Sequence, residues 1–431
     1  MLLPLCFFAS ANAYGLQKRP DEGQAMRLRW KSGQIQVALS TSLTSQSPNI
    51  KPGSEVAEAV RRSFAAWEAA GAVEFEQTST EKQSVSPSGN AGDGVSLVTI
   101  AQSPENLLLF SRDTGDVSAR TRVFYNGRGY ITEADIVLNP YQQFSTDGSI
   151  GTFDLESTLT HEIGHLLGLE HSSVFGATMH DNYGKNGVFS LQSFSARTLA
   201  ADDIASLRAL YGTKGDADDC CGKITGRLLT TGKNSRTLQV WAEEAETGRV
   251  SAEISTSSDG SFRLDGMPEG EYRLYAQGPQ TGKLSVPAES LGRVTVEKGR
   301  TANLVKRLNE KPKTFELKYA GFNGQLSELA VSLNKGKAYT VYIGGKNLDP
   351  RRVSIELSSG FLSVSPETVT SYDYGDGLSV LSFEISVRPG TPAGEYSISV
   401  ESDTGERRTI IGGLTIEEFS NPWNTAIVPE N

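Results

Sequence analysis

One stretch, residues 161–171, limits what this chain can fold into more than any other; it reads HEIGHLLGLEH. On a helix, His161 and His165 project from the same face, so both imidazoles can bind one metal ion. Glu162 follows about 100° round the helix, where it can approach a metal-bound water without displacing a ligand. Gly168 can adopt the left-handed conformation that ends a helix, and His171 can then return as a third ligand. Three protein ligands leave a position open for water, as in catalytic zinc sites.

The spacing H-E-x-x-H-x-x-G-x-x-H resembles the metzincin protease signature. The alternative is an ordinary helix that happens to carry histidines. The chain has only four histidines, and three of them fall on the pattern, which disfavours that alternative. Residues 177–180 (ATMH) lie where metzincins place their Met-turn, and residues 64–67 (FAAW) and 199–212 are similar to the matrixin branch. The chain is therefore identified, over residues 26–212, as a matrixin-like metzincin.

This resemblance implies a fold and a set of functional residues. The fold is an α+β metzincin catalytic domain, with a mixed twisted sheet and three helices, in residues 14–213. The implied roles are zinc ligation by His161, His165 and His171, general base catalysis by Glu162, the Met-turn at Met179, bracing of that turn by Asp203, with Asp202 as a further anchor, and the helix stop at Gly168. For the two aspartates, simple capping of the last helix is the alternative.

The implied reaction is hydrolysis of a peptide bond. Zinc lowers the pKa of its bound water, Glu162 accepts the proton as the water attacks, and Glu162 returns it to the leaving amine. We expect the substrate to bind extended, as an added strand on a sheet edge, and residues 117–124 are the candidate edge. An interior strand is the competing interpretation of the same residues.

The N-terminus and the overall charge bear on localisation and partners. Residues 1–13 form an apolar run that ends in Ala11-Asn12-Ala13, which predicts a secretory signal peptide; a buried strand is the alternative. No later apolar run could span a bilayer, so an integral membrane protein is not expected. The net charge of −10 disfavours nucleic acid as a partner. Cys6 falls within the predicted signal, and the adjacent Cys220 and Cys221 leave a vicinal disulfide, a bond between chains and free linker thiols as alternatives.

The distribution of histidines predicts one catalytic zinc ion, since none lies between residues 31 and 160, where animal matrix metalloproteinases hold a second, structural zinc. Matrixins often bind Ca²⁺, and Asp93, Asp113, Asp116 and Asp135 are candidate ligands, with solvated loop carboxylates as the alternative. His180-Asp181 stands where matrixins usually carry an aromatic residue and a proline. Tyr183 is a weaker candidate for the transition-state tyrosine of other metzincins.

After a linker at 214–221, the sequence changes to short alternating strands separated by Gly and Pro, which is typical of β-sandwiches. Residues 222–312 resemble the transthyretin-like carboxypeptidase regulatory domain. Residues 313–419 resemble an Ig-like domain of the IPT/TIG type, and residues 420–431 form a tail. We therefore expect two all-β sandwiches after the catalytic domain.

Together these patterns predict a secreted zinc endopeptidase that acts on proteins or peptides and docks on a surface or on extracellular matrix through its C-terminal sandwiches. The alternative is a surface adhesion or binding protein with an inactive metzincin domain. The intact Glu162 favours the enzyme, because an inactive relative can lose this residue freely.

Overall fold

The computed structural model describes residues 27–44, 46–87, 92–110, 117–182, 184–190, 197–214, 221–230, 237–280 and 282–417. The predicted signal peptide, most of the linker, the tail, Asp113, Asp116, Tyr183 and Cys220 lie outside these residues. Cys221 is disulfide-bonded, so the interpretation of this cysteine as a free linker thiol is wrong. Among the described helices, none is long and apolar enough to cross a membrane.

The N-terminal unit combines helices with a six-stranded sheet. Its helices are α1 (Val56–Ala70), α2 (Pro104–Leu107), α3 (Leu155–Leu166) and α4 (Ala201–Tyr211), with a 3₁₀ turn at Val188–Ser190. The sheet strands are β1 (Arg29–Trp30), β2 (Gln34–Ser40), β3 (Glu74–Thr80), β4 (Leu97–Thr99), β5 (Ala119–Tyr125) and β6 (Tyr130–Leu138); β7 (Phe144–Ser145) and β8 (Phe153–Asp154) form a separate pair. Three helices were predicted, and the short α2 is a fourth.

The sheet runs in the order β1-β6-β4-β2-β3, with parallel pairing throughout this series. Strand β5 pairs antiparallel with β6, and no other strand of the described residues pairs with β5. It is therefore an edge strand, as predicted for residues 117–124. The polar sequence from Thr78 to Gly94 predicts a surface loop, but strand β3 continues to Thr80 because it pairs in parallel with all of β2.

Helices α1, α3 and α4 pack with the sheet around one core. Helix α1 buries Val56, Val60, Phe64 and Trp67, as its 3.6-residue spacing predicts. Trp67 Nε1 donates to the Thr160 carbonyl at 2.8 Å, which fixes α1 against α3. In the sequence, Ser54 after Pro52-Gly53 predicts the cap of α1, and the structure shows that this prediction is wrong. The helix begins at Val56 with Glu55 as its N-cap residue; the Glu55 side chain makes no cap bond, and the Glu55 backbone N–H donates to Thr146 Oγ1 at 2.9 Å.

The middle of the chain is entirely β. Its strands are β9 (Gly222–Thr230), β10 (Gln239–Glu244), β11 (Val250–Ser255), β12 (Ser261–Met267), β13 (Gly270–Gln277), β14 (Leu284–Ser285), β15 (Glu289–Val296), β16 (Thr301–Leu308) and β17 (Lys311–Pro312). The order β11-β10-β13-β15 forms one sheet and β12-β9-β16 another. Side chains of both sheets, including Ile224 and Val240, share one apolar cluster, and the residues from 222 to 312 are called the middle unit below.

The last part is also β and is called the C-terminal unit. Its strands are β18 (Glu316–Phe322), β19 (Gln325–Ser327), β20 (Val331–Leu333), β21 (Ala338–Lys346), β22 (Val353–Leu357), β23 (Leu362–Asp373), β24 (Ser379–Val387), β25 (Gly394–Ser402) and β26 (Arg407–Ile416). They form sheets of order β19-β18-β21-β24-β23 and β20-β26-β25-β22, which enclose a second β core. The exact domain limits given above stay a prediction.

The three units meet in a small apolar cluster, called the junction cluster. It contains buried side chains from all of them: Val174, Ala177, Ala200, Trp241, Val250, Ala288 and Ile411. The side chain of Phe189, a residue of the N-terminal unit, lies within the core of the C-terminal unit. Its left-handed backbone, with φ of 60°, costs a bulky residue about 1–2 kcal/mol, which the burial of its ring, worth about 1.5–3 kcal/mol, offsets.

Candidate metal centre

The three histidines of the signature come together at one point. Helix α3 carries His161 and His165, and the chain that follows it returns His171. One ligand nitrogen of each ring lies within 4.8 Å of the others, and the Nε2 atoms of His165 and His171 are 3.2 Å apart. No other group of three potential metal ligands forms among the residues that the structure describes.

Two local features of the sequence produce this arrangement. Asp154, a residue type that favours the N-cap position, caps α3 by accepting a hydrogen bond from the Ser157 N–H at 2.9 Å. Gly168 follows the helix with φ of +96°, and a Cβ at this position would lie 2.4 Å from the Leu28 carbonyl oxygen. Any other residue would have a strained backbone here, and its Cβ would collide with this carbonyl oxygen. The turn toward His171 therefore requires glycine.

Backbone carbonyl groups hold two of the rings in one tautomer. His161 Nδ1 donates to the Thr178 carbonyl at 2.7 Å, and His165 Nδ1 donates to the Leu169 carbonyl at 2.8 Å. Because a carbonyl oxygen only accepts, each Nδ1 carries the proton and each Nε2 keeps its lone pair for a metal ion. This donor set of neutral imidazoles fits the zinc ion that such a site would hold.

Burial keeps the three imidazoles uncharged. It lowers the pKa of His165 to about 3 and that of His171 to about 4, and the neighbouring histidines add to the effect in both. Burial also lowers the pKa of His161 well below its usual value. A metal ion therefore meets three ligands that need not release a proton at neutral pH.

Glu162 is buried beside the histidines and contacts the edge strand. Thr121 Oγ1 on β5 donates to Glu162 Oε2 at 2.5 Å. Burial raises the pKa of Glu162 to about 7, although this hydrogen bond and the charge of Arg120 oppose the rise. A carboxylate with a pKa near neutrality can both accept and return a proton, which suits acid–base chemistry.

Met179 lies under the helix, and Asp203 holds the turn around it. A Cβ added to Gly164 would lie 2.2 Å from Met179 Sδ, so the thioether packs directly against α3. The Asp203 carboxylate accepts from the Thr178 N–H at 2.8 Å and the Met179 N–H at 3.0 Å. It also accepts from the Ala200 N–H at 2.8 Å, so the bracing role and the capping alternative are both present in the geometry.

Asp202, the residue before, connects the centre to the middle unit. It accepts from Ser172 Oγ at 2.6 Å, next to His171, and from the Glu253 N–H at 2.6 Å. Burial raises its pKa to about 7, and the charge of Asp203 adds to this effect. Asp202 is therefore an anchor between units rather than a simple cap.

Among the described residues, His180 and the calcium candidates do not join the three-histidine group. His180 contacts the Ser172 and Glu328 carbonyls, and it is not part of the three-histidine group. Of the calcium candidates, Asp93 pairs with Lys82, while Asp135 accepts from the Leu97 N–H and pairs with Arg122 at 3.2 Å. These two described candidates do not come together in a cation site.

Residues 113–212, which include every ligand described above, match the family model for matrixin. Over these residues the chain is similar to the matrixin family of metalloproteases. Metalloendoproteinase 1 of Glycine max is 29% identical over 43% of this chain and 53% of its own length. Human neutrophil collagenase is 28% identical over 45% of this chain and 36% of its own length. Mouse matrilysin is 40% identical over 17% of this chain and 25% of its own length. The chain thus spans about half, or less, of the length of these relatives.

Solved structures add little to this comparison. A minor pilin of Streptococcus agalactiae aligns with 22% of this chain and 48% of its own, at 16% identity and a TM-score of 0.17. Such a likeness bears on neither the fold nor the function of the two β units.

Several groups that contact the residues of the metal centre could not be identified from the sequence. Thr121 lies 41 residues before Glu162, and only the alternation of strand β5 could have indicated which of its side chains face α3. The Thr178 and Leu169 carbonyls are backbone groups and carry no sequence signal. Glu253 contributes a backbone N–H from another unit, and nothing in the sequence pairs it with Asp202.

Proposed function

We propose that this protein is a secreted zinc-dependent endopeptidase. The observation that carries the proposal is the convergence of three neutral imidazoles on one point, beside a buried Glu162 that Thr121 orients. The match to the matrixin model and the metalloendoproteinase relatives support the same reaction class. A single zinc ion, held by His161, His165 and His171, completes the proposed site.

The reaction follows from the placement of these residues. A bound zinc ion supplies Lewis acidity, which acidifies water and polarises a peptide carbonyl. Glu162 takes the proton of the attacking water and delivers it to the leaving amine nitrogen, for which a pKa near 7 is well matched. Thr121 fixes the direction of the Glu162 carboxylate, and the buried surroundings of this carboxylate keep bulk water away from the proton transfer.

The edge strand provides a place for the substrate. Strand β5 has a partner on one side only among the described residues, so an extended peptide can add to its free side through backbone hydrogen bonds. Since Thr121 of the same strand contacts Glu162, a peptide on this edge would lie next to the proton-transferring group. We propose docking on a surface or matrix for the two β units, which hold no comparable constellation among their described residues.

The test compares the wild-type chain with Glu162→Gln, which keeps the size of the side chain and removes the proton acceptor. We expect casein cleavage to fall by about 10²–10⁴-fold while one zinc ion per chain is retained. The matched control is Glu74→Gln, because Glu74 is exposed at the start of β3. A chelator should stop cleavage by the wild type.

Two results would contradict the proposal. Equal cleavage by wild type and Glu162→Gln would remove Glu162 from the reaction. Stoichiometric zinc without any cleavage by the wild type would favour a binding or adhesion protein built on the same domain.

A further inference from the structure

The chain on both sides of Met179 is held by the C-terminal unit. We call residues 172–182 and 184–190 the Met179 flanks. This stretch begins directly after the ligand His171 and contains Thr178, whose carbonyl accepts from His161 Nδ1. Whatever fixes the flanks therefore also fixes the orientation of a metal ligand.

His180 is the first contact between the flanks and the C-terminal unit. Its Nδ1 lies 3.0 Å from the Ser172 carbonyl oxygen, and its Nε2 lies 2.7 Å from the Glu328 carbonyl oxygen. Its side chain is 6% exposed. The ring thus joins the segment that follows His171 to the C-terminal unit, directly after the Met179 turn.

Phe189 is the second contact. Its ring is 4% exposed and belongs to the apolar core of the C-terminal unit, although its own backbone belongs to the N-terminal unit. Asn323 Nδ2 donates to the Phe189 carbonyl at 2.9 Å, so both the ring and the backbone are held. The left-handed backbone of Phe189 is a conformation that a bulky residue keeps only where its surroundings impose it.

The residues before Met179 are held in the same way. The Phe175 N–H donates to the Ile411 carbonyl at 2.9 Å. Side chains pack directly against glycine backbone here: a Cβ on Gly412 would lie 2.4 Å from Val174 Cγ1, and one on Gly176 would lie 2.6 Å from Thr415 Oγ1. The C-terminal unit therefore contacts the flanks on both sides of the turn.

We propose that the C-terminal unit is a positioning element of the metal centre, which acts through His180 and Phe189 to hold the Met179 turn and, through the Thr178 carbonyl, the ring of His161. This role is separate from docking and does not depend on peptidase activity. It requires only that the three histidines bind a metal ion.

The experiment uses the full-length chain and Co²⁺ as the metal probe. We expect Phe189→Ala to weaken Co²⁺ binding by about tenfold, the lower end of the effect seen when groups behind the ligands are lost. The visible absorption of the bound Co²⁺ should change, and the Thr178 and Met179 amides should exchange hydrogen faster. Phe189→Leu, which keeps apolar bulk, should restore all three measurements.

The control is Phe383→Ala, since Phe383 is fully buried in the same core but lies on β24. If the Co²⁺ site changes as much in this folded control as in Phe189→Ala, the effect is a general loss of stability and the proposal is wrong. An unchanged affinity, spectrum and exchange rate in folded Phe189→Ala would also overturn it. If Phe189→Ala does not fold, His180→Ala, which removes two polar contacts without emptying the core, decides by the same three measurements.

Discussion

Asp203→Asn separates the two roles that the geometry allows for Asp203. One carboxylate oxygen accepts from the Thr178 and Ala200 N–H groups, and the other from the Met179 N–H alone. The amide keeps an oxygen for the first two donors and turns an NH₂ group toward the third. A charge-assisted bond worth about 1.5–3 kcal/mol is lost, and a buried N–H is left without an acceptor, at about 1–3 kcal/mol.

The ionised carboxylate also carries a cost that the neutral amide avoids. Burial raises the pKa of Asp203 to about 6, so ionisation at neutral pH is opposed by desolvation. We therefore expect the free energy of unfolding to fall by about 2 kcal/mol, toward the lower end of the range for a lost buried hydrogen bond. Because the Thr178 carbonyl orients His161, zinc affinity should fall by about tenfold.

Urea unfolding of the zinc-loaded chain, followed by tryptophan fluorescence, measures the first quantity, and competition with a chromophoric chelator measures the second. Asp259→Asn makes the same chemical change at an exposed turn and should leave stability nearly unchanged. A helix cap alone predicts almost no effect, since the amide oxygen still serves Ala200. Unchanged stability and zinc affinity would therefore refute the bracing role.

Three further predictions follow from buried groups. Gly164→Ala places a methyl group 2.2 Å from Met179 Sδ, so we expect a lower Tm and weaker zinc binding at a cost of about 1–3 kcal/mol, whereas Gly360→Ala, with open space around its Cβ, should change neither. Burial raises the pKa of Asp202 to about 7 and that of Glu395 to about 8; between the unfolded and folded pKa values the folded chain binds more protons than the unfolded chain, so Tm should fall from about pH 5 to about pH 8, less steeply in Asp202→Asn. Arg408→Met leaves the buried Glu406 without its 2.8 Å ion-pair partner, so urea unfolding should show that the free energy of unfolding falls by about 3–5 kcal/mol. A Tm that does not change with pH would contradict the second prediction, and an unchanged stability of Arg408→Met would contradict the third.

The local parts of the structure could be predicted from sequence because local forces decide them. The four-residue spacing of His161 and His165 fixes their common face, and the cap at Asp154 follows from side-chain chemistry within one helical turn. Residues 130–138 are rich in residue types that favour strands, and β6 has the same limits, Tyr130–Leu138.

The predictions failed where a distant segment decides the outcome. Ser54 is a good N-cap residue, but Glu55 occupies the N-cap position of α1, where its N–H donates to Thr146, 91 residues away. Strand β3 extends into a polar sequence because β2 supplies hydrogen-bond partners along its full length. The C-terminal unit contacts Phe189 through residues more than 100 positions later in the chain, and the patterns of a single sequence contain no information on such pairings.

The junction cluster has a consequence for how this architecture can change. Trp241, Val250 and Ile411 cover Val174 and Ala200, so each unit supplies part of the others' interior. A gene fusion that replaced one unit with an unrelated domain would expose apolar surface on the two remaining units. We therefore expect the three units to be inherited and recombined together, unlike domains that are joined by flexible linkers and share no interface.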